Sequence, residues 1–167
     1  MAVAYAIPNQ GGPTTAAEWT WTPSVYTGAE TVISDVFATT EPLAGFMIRP
    51  GGAAIITSLF ISNSADNQPE LDIYFLNADV SFGTEGDVVA LTDGTIIDNV
   101  IGKINVPVSA WEDVGTDHIA QLSTANFGAL QLQAVSGATS IWAAIVIQTA
   151  VTAVANAMII KINYTLL

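Results

Sequence analysis

The sequence predicts an all-β fold: an antiparallel, jelly-roll-like β-sandwich with an extended N-terminal arm. Three observations predict it. Short runs rich in β-branched residues recur about every 8–12 residues and are split by Gly, Pro and Asn/Asp turns, the pattern of antiparallel sandwiches and barrels. The closing segment alternates with period two. Met158, Ile160, Ile162, Tyr164 and Leu166 share one face, and Lys161, Asn163 and Thr165 the other, as in a half-buried strand. No long window carries apolar residues at the i, i+3, i+4, i+7 spacing of an amphipathic helix. A chain of 167 residues suits one domain and can bury a full core without disulfide staples.

Taken in order, residues 1–28 read as the arm and residues 29–167 as a single sandwich domain. The arm holds Pro8, Pro13, Pro23, the pair Gly11-Gly12 and the aromatics Tyr5, Trp19, Trp21 and Tyr26. Proline fixes φ and blocks helix there. Trp19 and Trp21, two apart, point the same way from an extended chain. Two readings stand open: an edge strand or cover over the domain's own core, or an arm docking on a neighbouring subunit. Candidate strands follow at Thr31–Phe37, Phe46–Ile48 and Ala54–Ser62, the last rich in β-branched residues. A turn at Asn63–Glu70 leads to Leu71–Leu76, then to an acidic, glycine-containing stretch from Asn77 to Gly94. Strands at Ile101–Val106, Ile119–Ser123, Ala129–Val135, Ile141–Gln148 and Met158–Leu166 complete the set, with short helical turns near Ala90–Asn99 or Val108–Asp113.

Charge excludes several classes of function. The chain has 15 acidic and 3 basic residues, a net charge of −12. Proteins that neutralise phosphates need clustered Lys and Arg, and Arg49, Lys103 and Lys161 stand apart in the sequence. Nucleic acid and anionic membrane are therefore not expected partners. There is no cysteine, which excludes zinc–thiolate sites, thiol nucleophiles and disulfides. Met1–Gly12 lacks the basic first region of a secretory signal and reads as part of the mature protein. Ile141–Ile160 is long enough to cross a bilayer. It contains Gln148, Thr149, Thr152 and Asn156 and has no basic flank, so two strands joined by a loop are the expected structure.

The inventory for catalysis is thin, and no catalytic, cofactor or metal residue is assigned. His118 is the sole histidine; with Asp117 or Asp113 and Ser123 it completes a triad by residue type alone, but no G-x-S-x-G elbow marks the serine. Paired carboxylates occur at Glu112-Asp113, Glu85 with Asp87, and Glu70 with Asp72, and a glycosidase needs only two. Eleven of the fifteen acids lie between Asp66 and Asp117, mostly in expected loops, where solvation explains them. A calcium site at Glu85 and Asp87 lacks the D-x-[DN]-x-[DN]-G loop. The glycines are turn glycines, because none precedes a Lys in a phosphate-loop frame.

The 43 residues from Ile119 to Lys161 carry no charge except the last. They are expected in a core, a subunit interface or both, which points to an obligate oligomer. Pro50–Ser62 (PGGAAIITSLFIS), Pro69–Gly83 (PELDIYFLNADVSFG), Ile96–Val106 (IIDNVIGKINV) and the closing strand pair together resemble small virion structural proteins of tailed bacteriophages, the head decoration or cement proteins. The resemblance spans about Val32–Leu167 and rests on strand patterns. Two features depart from that pattern: the segment LNADVSFG after Phe75, where Asp and Pro are usual, and the Trp-containing arm.

The resemblance implies a β-sandwich that assembles, as a homotrimer, on the major capsid protein at the capsid surface of the virion, after synthesis in the host cytoplasm. It carries no catalytic residue across. Trp19, Trp21 and Tyr26 in the arm, with Trp142, are the candidate partner-binding residues. The alternative expectation is a head-fibre, tail or baseplate component that stacks exposed Trp side chains such as Trp19 or Trp111 on host glycans. A shell protein that contacts its genome would often use a basic arm, and Met1–Ile48 contains no Lys or Arg.

Overall fold

The computed structural model describes residues 16–23, 35–90, 92, 94, 98–152, 154 and 157–167. Its strands are β1 (Ala16–Trp21), β2 (Val36–Leu43), β3 (Ala53–Asn63), β4 (Leu71–Leu76), β5 (Val100–Val106), β6 (Trp111–Val114), β7 (Asp117–Ser123), β8 (Leu130–Gln133), β9 (Ile141–Ile147) and β10 (Met158–Leu166). One helical turn, α1 (Thr124–Phe127), separates β7 from β8, and a 3-10 turn at Val108–Ala110 precedes β6. The larger sheet has the order β1-β10-β3-β7-β6 with β8 also on β3, and the smaller has β2-β9-β4-β5. Every pairing among these strands is antiparallel. The chain is an all-β sandwich.

The connectivity defines it further. β1, β3, β6–β8 and β10 lie in the larger sheet, and β2, β4, β5 and β9 in the smaller. Successive strands therefore cross the sandwich at every step but β4–β5 and the run β6–β8. Each sheet interleaves early strands with late ones, β10 between β1 and β3 and β9 between β2 and β4. That is the double Greek key of a jelly roll.

Between the sheets, inward residues form the main core, among them Phe46, Leu59, Ile61, Ile73, Phe75, Ile104, Ile145, Ile160 and Ile162. β10 has the expected alternation, with Ile160 and Ile162 fully buried and Ile159 exposed. β3 changes phase partway. Ala54 and Ile56 face inward, then Leu59, Ile61 and Asn63. The break falls at Thr57: β10 skips it in register, and β7 ends opposite Ser58 where β8 begins opposite Ile56. An extra residue of this kind is a bulge, and α1 occupies the gap it leaves between β7 and β8. Ser123 caps α1, its side chain accepting from the Ala125 amide while Asn126 accepts from the Ser123 amide; this reciprocal arrangement satisfies donors that a helix start leaves orphaned.

β9 is covered on both of its faces. Ile141, Ala143, Ile145 and Ile147 join the main core. Ala144 and Val146 point the other way, into a second cluster with Val36, Leu76 and Phe82, against which Val80, Val89 and Trp142 pack. The cover is the loop after β4. Its backbone is tied down by Val36 N–H to Asp87 O and Gly86 N–H to Val36 O, both 2.9 Å, by the Asp35–Val88 bridge, and by Thr40 Oγ1 donating to Val80 O. A strand buried on two faces reads as a continuous apolar run, which is why Ile141–Ile147 shows no alternation. Much of the uncharged final third is thus hidden by the chain itself. Among the described residues no helix is long and apolar enough to cross a membrane.

Two local expectations are corrected, and one of the two readings of the arm is decided. Phe46–Ile48 is not a strand; it lies between Gly45 and Gly51, whose φ values of 72° and 68° bend the backbone in a way that side chains disfavour. Trp111–Val114 is a strand that composition did not suggest. Within the arm, Ala16–Trp21 is an edge strand paired with β10, the first of the two readings given for it. Residues 1–15, 24–28 and 31–34, which the arm and the first candidate strand included, lie outside the described residues.

Candidate functional site

The residues that suggested catalysis are not brought together. His118 is buried on β7, and Ser123 lies five residues along the same strand with opposite parity, about 17 Å away at strand spacing. The imidazole Nδ1 is 3.9 Å from Asp66 Oδ1, a turn carboxylate in a left-handed backbone position with φ 52°. Glu112 and Asp113 are neighbours on β6 and point to opposite sides of the ribbon. Glu85 accepts from Thr39 Oγ1 at 3.4 Å. Among the described residues no three His, Asp or Glu side chains gather as metal ligands.

Glu70 and Asp72 do converge, in a polar cluster. Asp72 sits on β4, nearly buried. Its Oδ2 accepts from Lys103 Nζ and Gln148 Nε2, each at 3.1 Å, and its Oδ1 from Asn105 Nδ2 at 3.1 Å. Asn105 also reaches Glu70 Oε1 at 3.4 Å. Lys103 Nζ stands 5.8 Å from the Tyr74 ring centroid. Burial pushes the Tyr74 phenol above its ordinary pKa of 10.0, the Asp72 charge adds to that, and the Lys103 charge opposes it. A carboxylate with this many donors is held in one geometry.

Beside this cluster a groove of about 410 Å³ runs along β5 to α1, lined by Lys103, Asn105, Pro107, Ser109, Leu122 and Phe127 among others. Three of its polar side chains are already engaged within the chain. Lys103 and Asn105 bond Asp72, and Asn126 is held in the cap of α1. Such a groove offers an incoming polar ligand few free partners.

The tryptophans are placed as follows. Trp21 is 5% exposed, with Nε1–H donating to Glu41 Oε2 at 2.9 Å. Trp19 packs edge-on against Phe46 with ring centroids 6.4 Å apart, and Phe46 in turn stacks on Tyr164 at 4.2 Å. Trp111 is buried and donates to Pro69 O at 2.8 Å. Trp142 is half-buried against the second cluster. Trp19 and Trp21 therefore take the place of the cover over the domain's own core. Tyr26 lies outside the described residues.

One surface remains, and sequence reasoning did not find it. The outward face of the larger sheet carries Ile55, Phe60, Ile119 and Ile159, none of which belongs to either core cluster. Around them lie Ser58, Ser62, Gln121, Gln131, Asn163 and Thr165, alternating in register with the inward residues. Among the described residues, the charged groups within the face are Lys161 and Glu18, paired at 3.5 Å; Glu112 and Asp117 stand at its β6–β7 rim. In a chain of net charge −12, a broad face this poor in charge, which no other described residue covers, is the feature that asks for a role. The signal was present in β3 but masked, because the bulge at Thr57 shifts which residues face out. No family model, curated protein or solved structure matches the chain.

Proposed function

We propose that the chain is a non-enzymatic structural protein, a capsid decoration or cement protein that associates into an oligomer and docks on the outer surface of a virion shell, stabilising capsomer junctions. The observation that carries this reading, on the side of association into an oligomer, is the face of the larger sheet, poor in charge and left uncovered by the described residues. Interface centres are depleted of charge, and the apolar part of such a mixed face gains about 25 cal/mol for each Å² covered, offset in part by lost freedom on association. Jelly-roll connectivity supports the reading as an analogy of fold, since viral capsid domains use it.

The mechanism is area burial without a reaction. The major capsid protein would present a surface of matching shape to the oligomer, and the acidic loops between Asp66 and Asp117 would remain solvated or meet a basic patch. The test is co-sedimentation of purified protein with empty shells, followed by heat and osmotic shock of shells with and without it. Co-sedimentation and a higher disruption temperature for the decorated shells are expected. Shells that withstand shock equally well without the protein overturn the reading. The glycan-binding alternative draws less support from this geometry, because Trp111 is buried and Trp19 is engaged by Phe46.

A further inference from the structure

We infer that the outward face of the larger sheet is covered by a second copy of this chain, in a face-to-face dimer whose two-fold axis runs along β3. This deepens the reading above, and rests on it, by assigning the oligomer's contact surface.

Size is the first argument. Five strands about 4.8 Å apart, of six, nine, eleven, seven and four residues in sheet order, give a face of about 600 Å² in projection. A stable pairwise interface needs about 800 Å² per partner, and side-chain relief raises accessible area above the projection. With that relief the face reaches the size of a small dimer interface.

Charge decides both occupant and axis. Each copy carries −12, so two copies can approach only through a surface where the acids are few. β3 lies at the centre of the larger sheet, with β10 and β1 on one side and β7 and β6 on the other. Among the described residues the face's single cation, Lys161, is on the β10 side. Glu112 and Asp117 are on the opposite rim. A two-fold axis along β3 lays β10 and β1 of one copy over β7 and β6 of the other, which sets the Lys161–Glu18 pair, with no net charge, toward the second copy's Glu112 and Asp117. An axis across the strands would instead set each acidic rim against its counterpart, and like charges across an interface cost several kcal/mol. Phe60, near the middle of β3, then lies beside the axis and meets the second copy's β3, where interface anchors concentrate.

The test is the mass of the full-length chain in solution over a dilution series, with far-UV circular dichroism as the folding control. The unaltered protein should be a dimer. Phe60→Glu should weaken dimerisation by about thirtyfold or more with the strand spectrum unchanged. Lys161→Glu alone should weaken it, and combining it with Glu112→Lys should restore it, a rescue that loss of fold does not produce. A chain that is monomeric at every concentration yet co-sediments with shells overturns the dimer and leaves the decoration reading standing. A dimer that ignores shells does the reverse. A trimer, or a charge swap without rescue, overturns the two-fold arrangement.

Discussion

The two outer faces of this sandwich are solved differently. On the smaller sheet the chain supplies its own cover, the loop after β4, whose Phe82 is fully buried with Val36, Leu76, Ala144 and Val146. The larger sheet has Ile55, Phe60, Ile119 and Ile159 facing outward in neither core cluster. The first face has become a second core, and the second face has kept the composition of an interface. Apolar residues on an outer face are therefore no evidence of a partner by themselves; what counts is whether the chain returns to cover them.

The comparison can be broken most sharply by truncating one aromatic on each face. Phe82→Ala should cost about 3–5 kcal/mol and lower the melting temperature by roughly 10 °C. Phe60→Ala in the dissociated protein should cost under about 1 kcal/mol. Equal losses in thermal melts would show that the two faces are not different in kind. Next in size is the polar cluster bordering the covered face. Asp72→Ala removes the buried acceptor shared by Lys103, Asn105 and Gln148; water can reach these exposed or half-buried donors in its place, so about 1–2 kcal/mol should be lost in urea unfolding.

Trp21→Phe tests the edge of the larger sheet. It keeps the ring's burial but removes the bond to Glu41, and about 1 kcal/mol should be lost. The smallest effect concerns Tyr74 beside the cluster. Its phenol pKa is raised, first by burial and then by the Asp72 charge. A group whose pKa is higher in the folded state contributes stability below its unfolded value, about 10 for tyrosine, and loses it as pH rises through the folded value. The folded protein should weaken above pH 10, less so in Tyr74→Phe, as read from melts at stepped alkaline pH. An unchanged alkaline slope would mean that the cover leaves Tyr74 fully hydrated.

Several elements were legible because their cause is local. β10 follows from strict alternation between Met158 and Leu166, and β4 from Leu71, Ile73 and Phe75 sharing a face, so both were placed at their observed bounds. β6 was not legible. Glu112 and Asp113 have poor strand propensity, and the segment is a strand because Gly115, at φ 84°, turns the chain back so that β6 pairs with β7. The candidate binding residues fared unevenly for a similar reason. Trp19 and Trp21 were correctly seen to share a side, but only packing fixes which side, and Phe46 and Glu41 hold them to the core.

The sequence alone determined that this is a β-sandwich, because period-two burial and turn chemistry act over a few residues. It also determined the charge poverty of the last third. Tertiary structure decided which apolar residues are core and which remain outside. That choice turns on contacts between residues far apart in the chain, such as Phe82 with Val146, and on the bulge at Thr57, where one extra residue exchanges the two faces of β3.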